Sequence, residues 1–115
     1  VATRPRPRPT PVTQPADDEP LRGPGDPALW QTLAGAQQAY DRGEWVVAGR
    51  LANDVIDTKQ ASDRQLFRAH ALQGAIECRA RNSQGGALGH FRQTRGKPRR
   101  WLVERCAAVG ITLEE

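Results

Sequence analysis

The side chains best suited to chemistry in this sequence are two cysteines, Cys78 and Cys106, and two histidines, His70 and His90. Together they supply every soft ligand of the chain and could be drawn as a zinc site. Structural zinc sites, however, pair their ligands closely, as Cys-x-x-Cys or His-x-x-x-His, and neither pairing occurs here. We therefore expect no bound metal, and we expect both histidines to be solvated or to make simple hydrogen bonds.

Catalytic patterns are also missing from the sequence. It contains no serine-centred elbow, no Cys/His pair at a recognisable spacing, and no pair of carboxylates with a pocket to shift their pKa values. The prediction is that this chain is not an enzyme and uses no cofactor.

Positive charge is concentrated toward the C-terminus, where basic residues outnumber acidic ones after Cys78. The cluster consists of Arg92, Arg95, Lys97, Arg99 and Arg100. Such a cluster can attract phosphates, nucleic acid, an acidic peptide or an anionic membrane surface. A solvated face is the simpler interpretation, because no aromatic residues alternate with the cations and no nucleic-acid-binding motif is present. Nucleic acid is therefore not the expected partner.

The elements that must position these residues begin after a proline-rich segment, residues 1–25, whose first part alternates proline with arginine. Proline fixes φ and removes backbone donors, so this segment is predicted to be a disordered linker. A Pro-x-x-Pro ligand or a tether to an anionic surface are the alternatives. The chain starts at Val1 and contains no methionine, which we interpret as a fragment of a longer protein. No apolar run approaches the roughly 20 residues of a membrane helix.

From Asp26 onward, apolar residues recur at helical spacing. Asp26 followed by Pro27 predicts a helix start, because the carboxylate can cap free backbone N–H groups and proline suits the first helical position. One apolar stripe runs through residues 29–40, Gly43 predicts a turn, and a second stripe runs through residues 45–56. Two short helices joined by a tight turn are expected to lie antiparallel, as a hairpin.

Three further helices are predicted in the second half of the chain. Ser62 and Gln65 match a capping box, and the third helix they begin is expected to end at Asn82. Its core side is predicted to carry Phe67, Ala71, Ala75 and Cys78. A short fourth helix contains Ala87, Leu88 and Phe91, but its glycines weaken it. After Pro98 the fifth helix places Trp101, Leu102, Cys106 and Val109 on one face, with Gly110 and Ile111 as a Schellman exit.

The two hairpins repeat one plan. Five pairs of similar residues stand 39 positions apart: Leu33 and Leu72, Gly35 and Gly74, Ala36 and Ala75, Gly43 and Asn82, Ala48 and Ala87. The first unit resembles the tetratricopeptide repeat through Leu33, Ala36, Tyr40, Gly43, Trp45 and Ala48. The second unit departs from the family at Arg79, which replaces the aromatic residue, and its spacing exceeds the family's roughly 34 residues. An ordinary five-helix bundle is the alternative.

This resemblance implies an all-α domain over residues 26–115, built from about five short helices as two antiparallel hairpins and a capping helix. In the family, the first helix of each hairpin lines a groove that binds a peptide or helix of another protein. The corresponding positions are Gln37, Asp41, Arg68 and Gln73. The expected function is a non-catalytic scaffold or regulatory module that binds an unidentified protein. A basic patch for anions and a structural cap of a longer helical array are the alternatives.

In a stacked repeat the third and fifth helices pack side by side, so a disulfide between Cys78 and Cys106 is conceivable, and two buried free thiols are the alternative. The disulfide would imply an extracytoplasmic compartment, and free thiols a cytoplasmic one. The C-terminal part, from Cys78 through Phe91 to Leu113, is similar to modules appended to large bacterial signalling proteins, receptor-type Ser/Thr kinases in particular. No kinase motif is present in the chain itself.

Overall fold

The computed structural model describes residues 23–114, and this part of the chain is all-helical, as predicted. The five helices of the described range are α1 (Pro27–Asp41), α2 (Trp45–Asp57), α3 (Asp63–Arg81), α4 (Gln84–Phe91) and α5 (Gly96–Ala107). The predicted linker lies outside the described residues, apart from its last three positions.

The first helix, α1, begins and ends where the sequence predicts. The Asp26 carboxylate accepts a hydrogen bond from the backbone N–H of Ala28 at 2.8 Å, with proline in the first turn. At the other end, Gly43 has a φ of 78°, and the Glu44 N–H donates to the Ala39 carbonyl at 2.8 Å. This left-handed exit satisfies carbonyls that α1 would otherwise leave unpaired and turns the chain sharply into α2.

Polar contacts join the start of α1 to the start of α3. The capping box at Ser62 and Gln65 is present, and both side chains also reach across to the chain before α1. The Ser62 hydroxyl donates to the Pro24 carbonyl at 2.8 Å, and the Gln65 amide donates to the Asp26 carbonyl at 2.9 Å. The Trp30 indole donates to the Pro24 carbonyl at 3.2 Å. Pro24, just before the predicted boundary at residue 26, therefore takes part in contacts with α1 and with the start of α3.

The central helix of the core is α3, which packs against all four other helices, whereas the two hairpins are α1 with α2 and α3 with α4. Close packing depends on small side chains. Ala36, Ala48, Ala71 and Ala75 are fully buried. At Gly74 a Cβ atom would lie 2.9 Å from both terminal methyl groups of Leu102, so α3 approaches α5 more closely than an alanine would allow.

The last helix is fixed to α3 by a disulfide between Cys78 and Cys106, whose Cα atoms are 5.3 Å apart. It ends in a Schellman motif, as predicted. Gly110 has a φ of 85°, its N–H donates to Ala107, and the Ile111 N–H donates to the Cys106 carbonyl at 2.9 Å. Cap and disulfide together hold the C-terminal end of α5 in place.

Three details differ from the sequence predictions. Phe67 is only half-buried and does not belong to the main core, because its side of α3 faces the loop before α5. Val109 is 40% exposed, because α5 ends at Ala107 and helical spacing no longer applies beyond it. Pro98 lies inside the first turn of α5 rather than before it, where its missing N–H costs nothing.

Candidate functional surfaces

The four residues predicted to line a peptide groove do not converge on one surface. The Gln37 amide donates to the Asp41 carboxylate at 3.1 Å on the exposed side of α1. Gln73 faces α2, where it donates to the Gly49 carbonyl at 2.8 Å. Arg68 was predicted to point outward but is only 3% exposed.

Arg68 is buried because aromatic side chains cover its side of α3. The ring of Tyr40 on α1 lies 5.3 Å from Trp101 on α5, edge to face, and the two meet across α3. Guanidinium groups of Arg68 and Arg105 lie over the Trp101 ring at 5.9 and 5.5 Å. Edge-to-face rings and cation–π pairs are mutually favourable contacts. Of the four predicted partner-binding residues, Arg68 is therefore the one that is buried within the protein itself.

Tyr40 completes this aromatic cluster. Its ring also contacts Trp45 edge to face at 5.3 Å, at the α1–α2 turn. Burial raises the pKa of the Tyr40 phenol above its ordinary value, and the nearby Arg79 guanidinium only partly opposes this shift. The phenol stays neutral at physiological pH, and its contribution is packing.

A groove of about 560 Å³ lies between α2 and α3 and borders the aromatic cluster at Trp45. Its apolar lining includes Trp45, Val46 and Ile76. Val46 is 81% exposed, which is unusual for a large apolar side chain in a small domain. Its polar lining consists of Arg50, Asn53, Gln73, Glu77 and Arg81.

Of the predicted partner-binding residues, Gln73 is the one that lines this α2–α3 groove. The sequence prediction missed Val46. The available signal was its position: Trp45 and Ala48 belong to the buried stripe of α2, and Val46 lies off that stripe, so it must be exposed.

A second concave surface surrounds Phe67 at the N-terminal ends of α3 and α5. Two adjoining cavities of about 190 and 210 Å³ share Phe67 and Arg95 as lining residues. The first is completed by Arg64, Gly96, Lys97 and Pro98, and the second by Asp63, Arg92 and Gln93. We refer to the two together as the Phe67 cavity.

The predicted basic cluster divides at this cavity. Arg92, Arg95 and Lys97 line it, but Arg99 and Arg100 do not. The Arg99 guanidinium donates to the Phe91 carbonyl at 3.1 Å and lies over the ring of the same residue at 4.2 Å. Arg100 is exposed on α5.

Arg95 has a structural contact as well, donating to the Thr94 carbonyl at 2.6 Å. A cation that donates to carbonyls at the end of a helix complements the negative end of the helix dipole. Arg99 therefore stabilises the exit of α4, and Arg95 fixes the loop that follows.

The two histidines form a pair between α3 and α4. Their Nδ1 atoms are 3.0 Å apart, so one ring must donate a hydrogen and the other must accept it. Burial lowers the pKa of His70, and proximity to His90 lowers it further. Burial also lowers the pKa of His90, against an opposing effect of Glu77. The pair is therefore neutral at physiological pH and holds the two helices together.

Within residues 23–114, no group of three or more histidine, cysteine, aspartate or glutamate side chains is placed to hold a metal ion. None of the helices in this range has both the length and the apolar character required to cross a membrane. Comparisons with protein-family models, curated proteins and solved structures gave no match. The resemblances to tetratricopeptide repeats and to kinase-linked modules therefore stay predictions.

Proposed function

We propose that this domain is a non-catalytic protein-binding module and that the α2–α3 groove is its binding surface. The observation that carries the proposal is the exposure of Val46 at the edge of a groove lined by Trp45 and Ile76. Exposed apolar patches with polar rims are typical of protein-binding sites. A groove of this size accommodates a few side chains of an extended or helical segment.

Charge indicates the chemistry of the partner. Arg50 and Arg81 line the groove with a single acidic residue, Glu77, so its net charge is positive. Arg79 adds a further guanidinium over the Trp45 ring, at 5.8 Å. The partner we propose is a protein segment with apolar side chains for the groove and carboxylates for the arginines.

The packing order of the helices supports a tetratricopeptide-like arrangement, with α1–α2 and α3–α4 as successive hairpins and α5 as the capping helix. In this proposal the partner binds at the junction between the two hairpins. On the face made by the first helices, which the family uses, Arg68 is buried beside the Trp101 ring and is not available to a partner. A degenerate repeat would in this way retain the family's scaffold and change its binding surface.

The test is selection from a library of random peptides with the full chain, followed by affinity measurement for the selected peptides. We expect peptides that combine apolar and acidic residues. Val46→Glu should weaken their binding at least about tenfold, which corresponds to about 1.4 kcal/mol. The matched control is Val109→Glu, which makes the same change at an exposed valine that does not line the groove.

Unchanged affinity in Val46→Glu, or an equal loss in Val109→Glu, would contradict the proposal. A second variant, Arg50→Glu with Arg81→Glu, tests the charge. It should weaken binding of the acidic peptides and should favour peptides rich in lysine and arginine instead. Selected peptides without acidic residues would contradict the charge assignment.

We also propose that the domain works in an oxidising, extracytoplasmic compartment. The supporting observation is the disulfide between Cys78 and Cys106, because reducing compartments keep thiols in the reduced form.

A further inference from the structure

We propose that the Phe67 cavity binds a small organic phosphate, a phosphate monoester that carries an apolar or aromatic substituent. The two adjoining parts of the cavity, about 190 and 210 Å³, are together large enough for a small molecule. This site is separate from the α2–α3 groove, with which it shares no lining residue.

The charge of the lining points to an anion. Four cationic side chains, Arg64, Arg92, Arg95 and Lys97, surround the cavity, against one carboxylate, Asp63. Like charges gathered around a concavity raise the local potential and attract an oppositely charged ligand. A phosphate monoester is nearly a dianion at neutral pH, and arginine donors match the geometry of its oxygens.

The position of Asp63 indicates in which part of the cavity the phosphate group of the ligand binds. Asp63 lines the part of the cavity with Arg92 and Gln93, and it would repel a phosphate there. The other part is lined by Arg64, Arg95 and Lys97 and has no acidic residue among its lining. The phosphate is therefore placed in the part lined by Arg64, Arg95 and Lys97.

The start of α5 adds donors on the same side. Gly96 and Lys97, in the first turn of α5, line the basic part of the cavity. No side chain caps this helix, and its first turn contains no acidic residue. The positive end of the helix dipole therefore adds to the field of the three cations.

Phe67 supplies the apolar side of the site. Its half-buried ring is common to both parts of the cavity and so lies along the path from the phosphate to the remainder of the ligand. An apolar or aromatic substituent of the ligand can pack on this ring, which removes apolar surface of both groups from water and favours binding. Inorganic phosphate would lack that contact and should bind more weakly.

The experiment is calorimetric titration of the full chain with phenyl phosphate, inorganic phosphate and phenol at one fixed, low salt concentration. We expect phenyl phosphate to bind most tightly and phenol not to bind. Lys97→Glu should weaken phenyl phosphate binding about tenfold or more, because it replaces an attractive charge by a repulsive one. Arg100→Glu is the matched control, since it makes an equivalent charge change on the same helix outside the cavity.

Absence of phenyl phosphate binding, or equal losses in Lys97→Glu and Arg100→Glu, would overturn the proposal. Phe67→Leu should weaken phenyl phosphate binding and leave inorganic phosphate binding unchanged. If inorganic phosphate binds as tightly as phenyl phosphate, the proposed contact between Phe67 and the ligand is wrong. Val46→Glu should leave phenyl phosphate binding unchanged. A failure of the phosphate proposal can therefore be distinguished from a failure of the proposed peptide binding in the α2–α3 groove.

Discussion

At the scale of single residues, the His70–His90 pair makes stability depend on pH. Burial lowers the pKa of both rings, so the folded protein resists protonation, whereas the unfolded chain takes up protons near the ordinary value of 6.5. The unfolded state therefore binds more protons below that pH, and stability must fall as pH decreases. We expect the free energy of unfolding, measured by urea denaturation, to be lower at about pH 5.5 than at about pH 7.5.

The matching variant replaces both rings by glutamine, in His70→Gln with His90→Gln. Because neither side chain then titrates, its free energy of unfolding should change less over the same pH interval, whatever its absolute value. Equal pH dependence in the variant and the natural protein would contradict the assignment of this effect to the histidine pair.

At the scale of the helices, two glycines that stand 39 positions apart, Gly35 on α1 and Gly74 on α3, have opposite roles. At Gly35 a Cβ atom would make an ordinary contact, 3.6 Å from Leu51, so Gly35→Ala should gain the usual helix benefit of about 0.5–1 kcal/mol. At Gly74 the same atom would lie 2.9 Å from Leu102. Gly74→Ala should therefore destabilise the fold by about 1–3 kcal/mol.

The measurement is the free energy of unfolding of the two alanine variants, and each serves as the control for the other. Opposite signs are expected because α3 packs against α5 at Gly74, and α1 has no equally close neighbour at Gly35. Equal gains in both variants would show that α5 can move away from α3 without cost.

The same scale shows how much of the fold the sequence could predict. Helix starts and ends are decided by residues close in the chain, so the cap at Asp26, the capping box at Ser62 and the exits at Gly43 and Gly110 were all predicted correctly. The burial of Arg68 was not predictable, because it depends on two rings from distant helices that meet over α3.

The candidate surfaces, too, could be predicted from the sequence only in part. The sequence located the cations Arg92, Arg95 and Lys97, but it grouped them with Arg99, which contacts the carbonyl at the end of α4 instead. It placed Phe67 in the core, because helical spacing gives the side of a helix but not the neighbour that covers it.

At the scale of the whole molecule, the disulfide between Cys78 and Cys106 holds α5 to α3. Replacing both cysteines, in Cys78→Ala with Cys106→Ala, should lower the free energy of unfolding by about 3–4 kcal/mol in the chain-entropy model. For a domain of this size that is a large share of total stability. Urea denaturation with and without a reductant gives the same comparison in the natural protein.

The cysteine variant should be insensitive to reductant, which makes it the control. Thiol titration of the full chain under denaturing, non-reducing conditions should find no free thiol. Two free thiols in protein taken directly from its native compartment would argue against both the disulfide and the oxidising compartment proposed above.

The position of Tyr40 gives the molecule a spectroscopic probe of its own. Tyr40 is the single tyrosine of the chain, and its ring is 5.3 Å from two of the three tryptophans. Light absorbed by the phenol is passed to an indole at such short range, so the folded protein should emit tryptophan fluorescence alone. Tyrosine emission should rise only when Tyr40 has lost both contacts, so it reports opening of the α1–α2 turn together with release of α5, without any added label.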